Sequence, residues 1–303
     1  MKPDDSVVSQ KEFLQICNHA RRALDKAGAF GRFPTPVGDV MGAAKLIVAE
    51  EDLSAGFLGK IRNRARRIGK TLKTALSKVL GVLDVGAGIV YVGKGVHLIR
   101  QVFLKLHEAG HALIPWQRDI YYAIQDCEKT LSPEVSEAFD REANVFASEV
   151  LFQLDTFRDE AADHAFGLKV PLKLSKKYGA SVYSTVRRYV STNNRSCVVL
   201  ILNPPELVEG DGMVSSIRRI VASQSFLFLF QGMRWPEVFT PDDGLGRMIP
   251  LGARKMSWPV SLRLTDRNGV EHECTAEAFK HKYQVFILIH EVATLTRTIV
   301  AVA

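Results

Sequence analysis

His107, Glu108 and His111 fall within LHEAGHALIPW, residues 106–116, and put two imidazoles four positions apart with a carboxylate beside the first. On an α-helix, positions four apart are separated by about 40° and one turn of rise, so the two rings project side by side. That is what two histidines need to grip one tetrahedral ion. Glu108 points off the line of the pair but stays beside it, within reach of a water held by that ion. The chemistry implied is that of HExxH, in which zinc brings the pKa of its water toward ~7 and the glutamate takes the proton. The bland alternative is a pair of helix histidines satisfied by hydrogen bonds, with Glu108 a solvated charge. With eight histidines in 303 residues, HExxH arises by chance in on the order of one chain in a hundred. A third ligand on a neighbouring element therefore has to decide the matter.

The stretch FDREANVFASEVLF at 139–152 supplies the candidates. Phe139, Ala143, Phe146, Val150 and Leu154 share one helical face. Asp140 and Glu142 flank that face on opposite sides, about 160° apart, so only one of them can turn toward a partner helix. Asp140 lies nearer the centre of the face. It shares its side with Asn144 and Ala147, small residues that permit close approach next to Gly110. The wheel favours Asp140 as the third ligand, with Glu142 as the alternative.

These residues need elements to position them. Residues 10–28 read as an amphipathic helix broken by AGAFGRFPTP, followed by a second helix over 37–49. KIRNRARRIGKTLKTALSK at 60–78 carries eight Lys or Arg and predicts an amphipathic helix with a basic outer face. VLGVLDVGAGIVYVG at 79–93 predicts a short hairpin. A helix over 97–114, ended by Pro115, carries the histidines, and a long helix over 133–154 carries the acidic candidates. Residues 172–190 predict two short helices joined at Tyr178–Gly179–Ala180. Beyond Asn193, CVVLILN (197–203), SFLFLF (225–230), PVSLRLTDRNGVEHECT (259–275) and YQVFILI (283–289) read as strands, with Asn268–Gly269 as a two-residue hairpin turn. The expectation is an α+β chain whose helix-rich half precedes a β-rich half.

Composition narrows the class. A hydrophobic fraction of 47%, a charged fraction of 24% and a net charge of +7 describe an ordinary, mildly basic globular chain. The N-terminal stretch has no apolar signal segment, and the longest apolar runs are strand-sized, so neither secretion nor a membrane partner is expected. The four cysteines, Cys17, Cys127, Cys197 and Cys274, form no CxxC pair. The expected address is the cytoplasm. IGKT at 68–71 has Arg64 where a phosphate-binding loop needs glycine, and His290–Glu291 lacks the second histidine. The basic face of 60–78 and the cations Lys173, Lys176, Lys177, Arg187 and Arg188 leave direct DNA binding as a rival reading, in which the metal site is structural or vestigial. Tyr121 and Tyr122 follow the metal helix closely enough to bear on an oxyanion, though packing is the plainer reading.

HEAGH followed about thirty residues on by DREANVFASEVLF resembles the ImmA/IrrE family of zinc metallopeptidases over roughly residues 80–195. The family pattern is HExGH, then an acidic residue four before the Asn of an ExxANxFAxELL-like helix. The resemblance implies that His107 and His111 bind Zn²⁺, that Glu108 is the general base, and that Asp140 stands where the family generally has Glu. Asp is one methylene shorter, so the helices sit closer or Glu142 substitutes. The resemblance also implies a zincin-like peptidase domain at 1–170, a helix-turn-helix-like segment at 171–195 and a β-rich C-terminal region at 196–303 with a sensor or regulatory role. Its implied activity is zinc-dependent cleavage of a helix-turn-helix transcriptional repressor, switching on stress-response or mobile-element genes.

Overall fold

The computed structural model describes residues 8–51, 81–84, 86–125 and 133–292. The basic segment at 60–78 lies outside them, as do Cys127 and the side chain of Tyr122. The described residues divide into two compact units, one of 8–159 with 175–181 and one of 160–174 with 182–292. The chain is α+β. No helix among the described residues is long and apolar enough to cross a membrane.

In the helical unit, α1 (Gln10–Lys26) opens on a capping box: the Ser9 hydroxyl accepts from the Glu12 N–H, and Glu12 accepts from the Ser9 N–H. Its buried face, Ile16, Ala20, Ala23 and Leu24, packs on α5 (Pro133–Leu151). The histidine helix, α3 (Leu98–Leu113), lies on the other contact of α5. A Cβ at Gly110 would meet Ala143 Cα at 3.2 Å and Phe146 Cδ1 at 3.2 Å. Glycine there is what lets α3 and α5 approach so closely, at Ala143 rather than Ala147. Phe139, Phe146, Val150 and Leu151 of α5 are buried, each contributing about 1.5–3 kcal/mol. Ile114 is extended, as a residue before proline must be, and Pro115 starts α4 (Pro115–Gln125) at a position that spares its missing N–H. The bend turns the chain back against α3 and α5. Pro115 thus ends one helix and opens another that sequence reading missed.

The helix expected over 37–49 is shorter. α2 (Val37–Ala43) ends where Lys45 adopts φ 58° and the Leu46 N–H closes on the Met41 carbonyl, a left-handed helix stop. β1 (Ile47–Glu51) follows and runs parallel to β3 (Ile89–Gly93), which pairs antiparallel with β2 (Gly81–Asp84) in the expected hairpin. The sheet order β1-β3-β2 packs through β2 and β3 on α3.

After α6 (Thr156–Ala162) and α7 (Lys169–Tyr178), the other unit contains α8 (Val182–Ser191), which follows α7 after Gly179, and an antiparallel sheet. Its strands are β4 (Cys197–Leu202), β5 (Glu206–Val208), β6 (Gly212–Ala222), β8 (Val260–Thr265), β9 (Glu271–His281) and β10 (Gln284–Glu291), in the order β5-β6-β4-β10-β9-β8, with β7 (Val238–Phe239) paired to β6. The unbroken apolar runs of β4 and β10 are central and buried throughout, the pattern of strands covered on both faces. SFLFLF is not a strand. The Ser223 hydroxyl caps the Phe226 N–H and starts α9 (Gln224–Leu229), while Phe226 and Phe230, four apart, turn into the core. A short apolar run lacks the periodicity to separate the two outcomes, and the cap decides. The β8–β9 turn is also longer than two residues. The Asp266 carboxylate accepts from the Asn268 and Val270 N–H groups, and only Gly269, at φ 83°, takes positive φ.

Candidate metal centre

The close α3–α5 seam brings together His107, His111 and Asp140, with one donor atom from each lying within 4.8 Å of the others. Both imidazoles are almost wholly buried, at 3% and 2% exposure. His107 Nδ1 donates to Asn144 Oδ1 at 3.0 Å, and His111 Nδ1 donates to Gln117 Oε1 at 2.7 Å. The Gln117 amide cannot be turned round, because its Nε2 donates to the Glu142 carboxylate and the Phe139 carbonyl. With both Nδ1 atoms donating to neutral amide oxygens, each Nε2 presents a lone pair. The two Nε2 atoms lie 3.1 Å apart, and Asp140 Oδ1 lies 3.9 Å from the first and 3.6 Å from the second.

Three electron pairs thus converge with no proton to share among them. Asp140 Oδ1 is buried without a hydrogen-bond partner, although the carboxylate as a whole is 30% exposed. An unpaired buried acceptor costs free energy, and facing nitrogen lone pairs repel. A divalent cation with nitrogen and oxygen ligands removes both penalties, so the donor set fits one. The carboxylate's open side leaves room for a further ligand.

Burial governs the charges. It pushes the Glu108 carboxyl up to about 8, helped by the neighbouring Asp140 charge. It drives His111 down to about 3, helped by His107 and opposed by the Gln117 hydrogen bond. Asp140 is raised to about 6 by burial and by Glu137, against the pull of Arg141. Burial thus works against charge on each of these groups, a setting a cation reverses.

Glu142, the alternative ligand, lies elsewhere. It accepts from Trp116 Nε1 at 2.8 Å and from Gln117 Nε2. Its place is behind His111, where it fixes the amide that fixes the imidazole. Sequence reasoning missed Gln117 altogether. The available signal was Pro115, which forces the bend that returns the next turn of chain to the histidine. In α8, Arg188 is buried and Arg187 stacks on Tyr183 at 5.4 Å, whereas Lys173, Lys176 and Lys177 of α7 are exposed. Tyr121 places its ring edge-on to His111 at 5.6 Å.

A structure described as a Mycobacterium tuberculosis transcriptional regulator shares the fold, with a TM-score of 0.50 at 13% identity, covering 95% of this chain and 92% of that one. No curated protein matches the sequence. Residues 66–189 match the family model described as the IrrE N-terminal-like domain of Peptidase_M78. Both helices of the histidine–aspartate cluster lie inside that span, so the cluster falls in the part of the chain that is similar to the IrrE N-terminal-like domain.

Proposed function

We propose that the protein is a zinc-dependent endopeptidase in which His107 Nε2, His111 Nε2 and an Asp140 oxygen hold the ion and Glu108 is the general base. The observation that supports it best is the pair of Nε2 lone pairs 3.1 Å apart, each fixed by an amide acceptor on the far nitrogen and faced by the unpartnered Asp140 oxygen. A bound Zn²⁺ supplies Lewis acidity, which acidifies water and polarises a peptide carbonyl. The chain supplies the rest. Glu108, buried beside the cluster, accepts the proton of the attacking water and returns it to the leaving amine. Burial raises the Glu108 carboxyl to about 8, and a cation beside it would favour the carboxylate form that takes up the proton. Gln117 and Asn144 hold the imidazoles in one tautomer. The described sheet β1-β3-β2 has edges on which an extended substrate can add as a strand.

The substrate we propose is a helix-turn-helix repressor, whose loss would derepress genes of a stress response or a mobile element. The family resemblance of the two motifs supports this, and the regulator described for the mycobacterial neighbour is compatible with it. The test incubates the zinc-loaded full chain with a candidate repressor beside Glu108→Gln. The wild type should cut, and the variant should keep its zinc but not cut, because an amide cannot accept the proton. Equal cleavage by the two would remove Glu108 from its role. Salt-dependent DNA affinity without cleavage would favour the regulator reading.

A further inference from the structure

On the flank of α5 away from Asp140, the start of α1 borders a cavity of about 350 Å³ lined by Val8, Ser9, Glu12, Ala138, Arg141 and Glu142. That volume is at the small end of the range for ligand sites, about 300–1,000 Å³. Glu142 is 7% exposed, and both of its hydrogen bonds fall on one oxygen: Oε2 accepts from Trp116 Nε1 and from Gln117 Nε2. Among the described residues, nothing donates to its Oε1 and no cation pairs with it. Arg141 lines the same cavity, but its guanidinium lies 3.9 Å from Glu137 Oε2 instead. Glu12 brings a second carboxylate, held below the usual carboxylate range by its Ser9 hydrogen bonds and, more weakly, by Arg141, against burial. A nearly buried carboxylate without a counter-charge is costly to keep, and this one lines a space large enough to admit one.

We propose that this cavity binds a small primary ammonium compound, whose cation seats on the Glu142 carboxylate, and that its binding weakens the hold of His111 on zinc. An ammonium is a compact point charge with three donors, enough to engage Glu142 and still face Glu12. Val8 and Ala138 offer apolar surface to a short alkyl chain. An anion would instead meet two carboxylates, and an apolar ligand would leave Glu142 uncompensated. The link to the metal runs through side chains already in contact. Glu142 polarises the Gln117 amide, whose Oε1 accepts from His111 Nδ1 at 2.7 Å. A cation on Glu142 makes that amide a poorer acceptor and His111 Nε2 a poorer donor to a metal. The effect is mutual, so zinc must weaken amine binding by the same factor. The ammonium site stands apart from the hydrolytic reading, and its link to zinc rests on the metal site of that reading.

The Trp116 indole N–H touches the proposed site directly, and it is one of three tryptophans in the chain, beside Trp235 and Trp258. Its proton resonance is therefore the readout when n-butylammonium chloride is titrated into the metal-free 303-residue chain. The Trp116 signal should shift saturably, with a Kd roughly in the millimolar range for so small a ligand, while the other two stay in place. Butan-1-ol and sodium chloride at matched concentration should leave it unmoved. Glu142→Gln should weaken the binding by about tenfold or more, as for a lost hydrogen bond to charge. Ala138→Leu fills the cavity without touching Glu142 and should abolish the saturable shift in a folded protein. No shift in the wild type, the same shift with butan-1-ol or sodium chloride, or wild-type affinity in either variant overturns the site. Zinc affinity should fall severalfold in saturating n-butylammonium for the wild type and stay constant for Ala138→Leu. Equal zinc affinity with and without n-butylammonium in the wild type overturns the link. A wild type that takes up no zinc overturns the metal site and leaves the ammonium result to stand on the indole signal.

Discussion

Each unit of the molecule buries histidine beside carboxylate, and the two clusters do opposite things with the proton. In the helical unit, His107 and His111 donate from Nδ1 to the neutral amides of Asn144 and Gln117, and burial drives His111 down to about 3. In the β-rich unit, His272 sits between two acids, with Nδ1 2.7 Å from Glu291 Oε1 and Nε2 3.3 Å from Asp266 Oδ2. Burial works against its proton there too, but the hydrogen bond to Glu291 and the nearby charges of Glu291 and Asp266 outweigh it and raise the pKa. The difference lies in what accepts from the imidazole. A neutral amide on one nitrogen leaves the other as a lone pair seeking a cation, whereas carboxylates on both turn the ring into the cation. One cluster needs a positive charge from outside, and the other makes its own.

Breaking the first cluster should have the largest effect. Asp140→Ala leaves two imidazoles and should weaken zinc by roughly 10- to 100-fold or more, taking the losses seen for outer-shell partners as a floor. Asp140→Glu should retain the metal. Competition against a chelating dye measures both, and the helix is rotated from the face drawn here if Glu142→Ala strips the zinc while Asp140→Ala does not.

The neutral acceptors come next. Gln117→Leu removes the acceptor behind His111 and takes a donor from buried Glu142. Zinc affinity should drop by about tenfold and stability by about 1–3 kcal/mol. Unchanged zinc affinity in a folded Gln117→Leu protein would show that the tautomer does not depend on that amide.

The smallest effect belongs to the self-made cation. Because the folded-state pKa of His272 is raised, its stabilisation is fully present below the unfolded value, about 6.5, and is lost as pH rises through the folded value. Wild type should therefore lose its melting-temperature advantage over His272→Gln across that window. A difference that is flat with pH, or grows with it, contradicts the assignment.

The sequence carried the site further than the fold around it. HExxH is local, so helical spacing alone sets His107 beside His111, and the wheel puts Asp140 nearer than Glu142 to the apolar face of α5. Gln117 was illegible, since its contact exists only after Ile114 and Pro115 bend the chain. The same limit explains α9, where a single serine cap outweighs a strand-like run, and α2, where a left-handed Lys45 ends a helix that composition would have continued. The three-residue β5 and two-residue β7 are too short to carry a pattern, and both take their place from pairing with β6.

The central claim is that two fixed Nε2 lone pairs and one unpartnered aspartate oxygen form a metal site. Metal analysis of the purified 303-residue chain, carefully loaded with zinc and run beside His107→Ala, tests it most directly. The account predicts about one zinc per wild-type chain, two histidines and one carboxylate leaving one open position, and little or none in the variant. Less than about a tenth of an equivalent in the wild type, against the single ion such a ligand set holds, or equal zinc in both proteins, would contradict it.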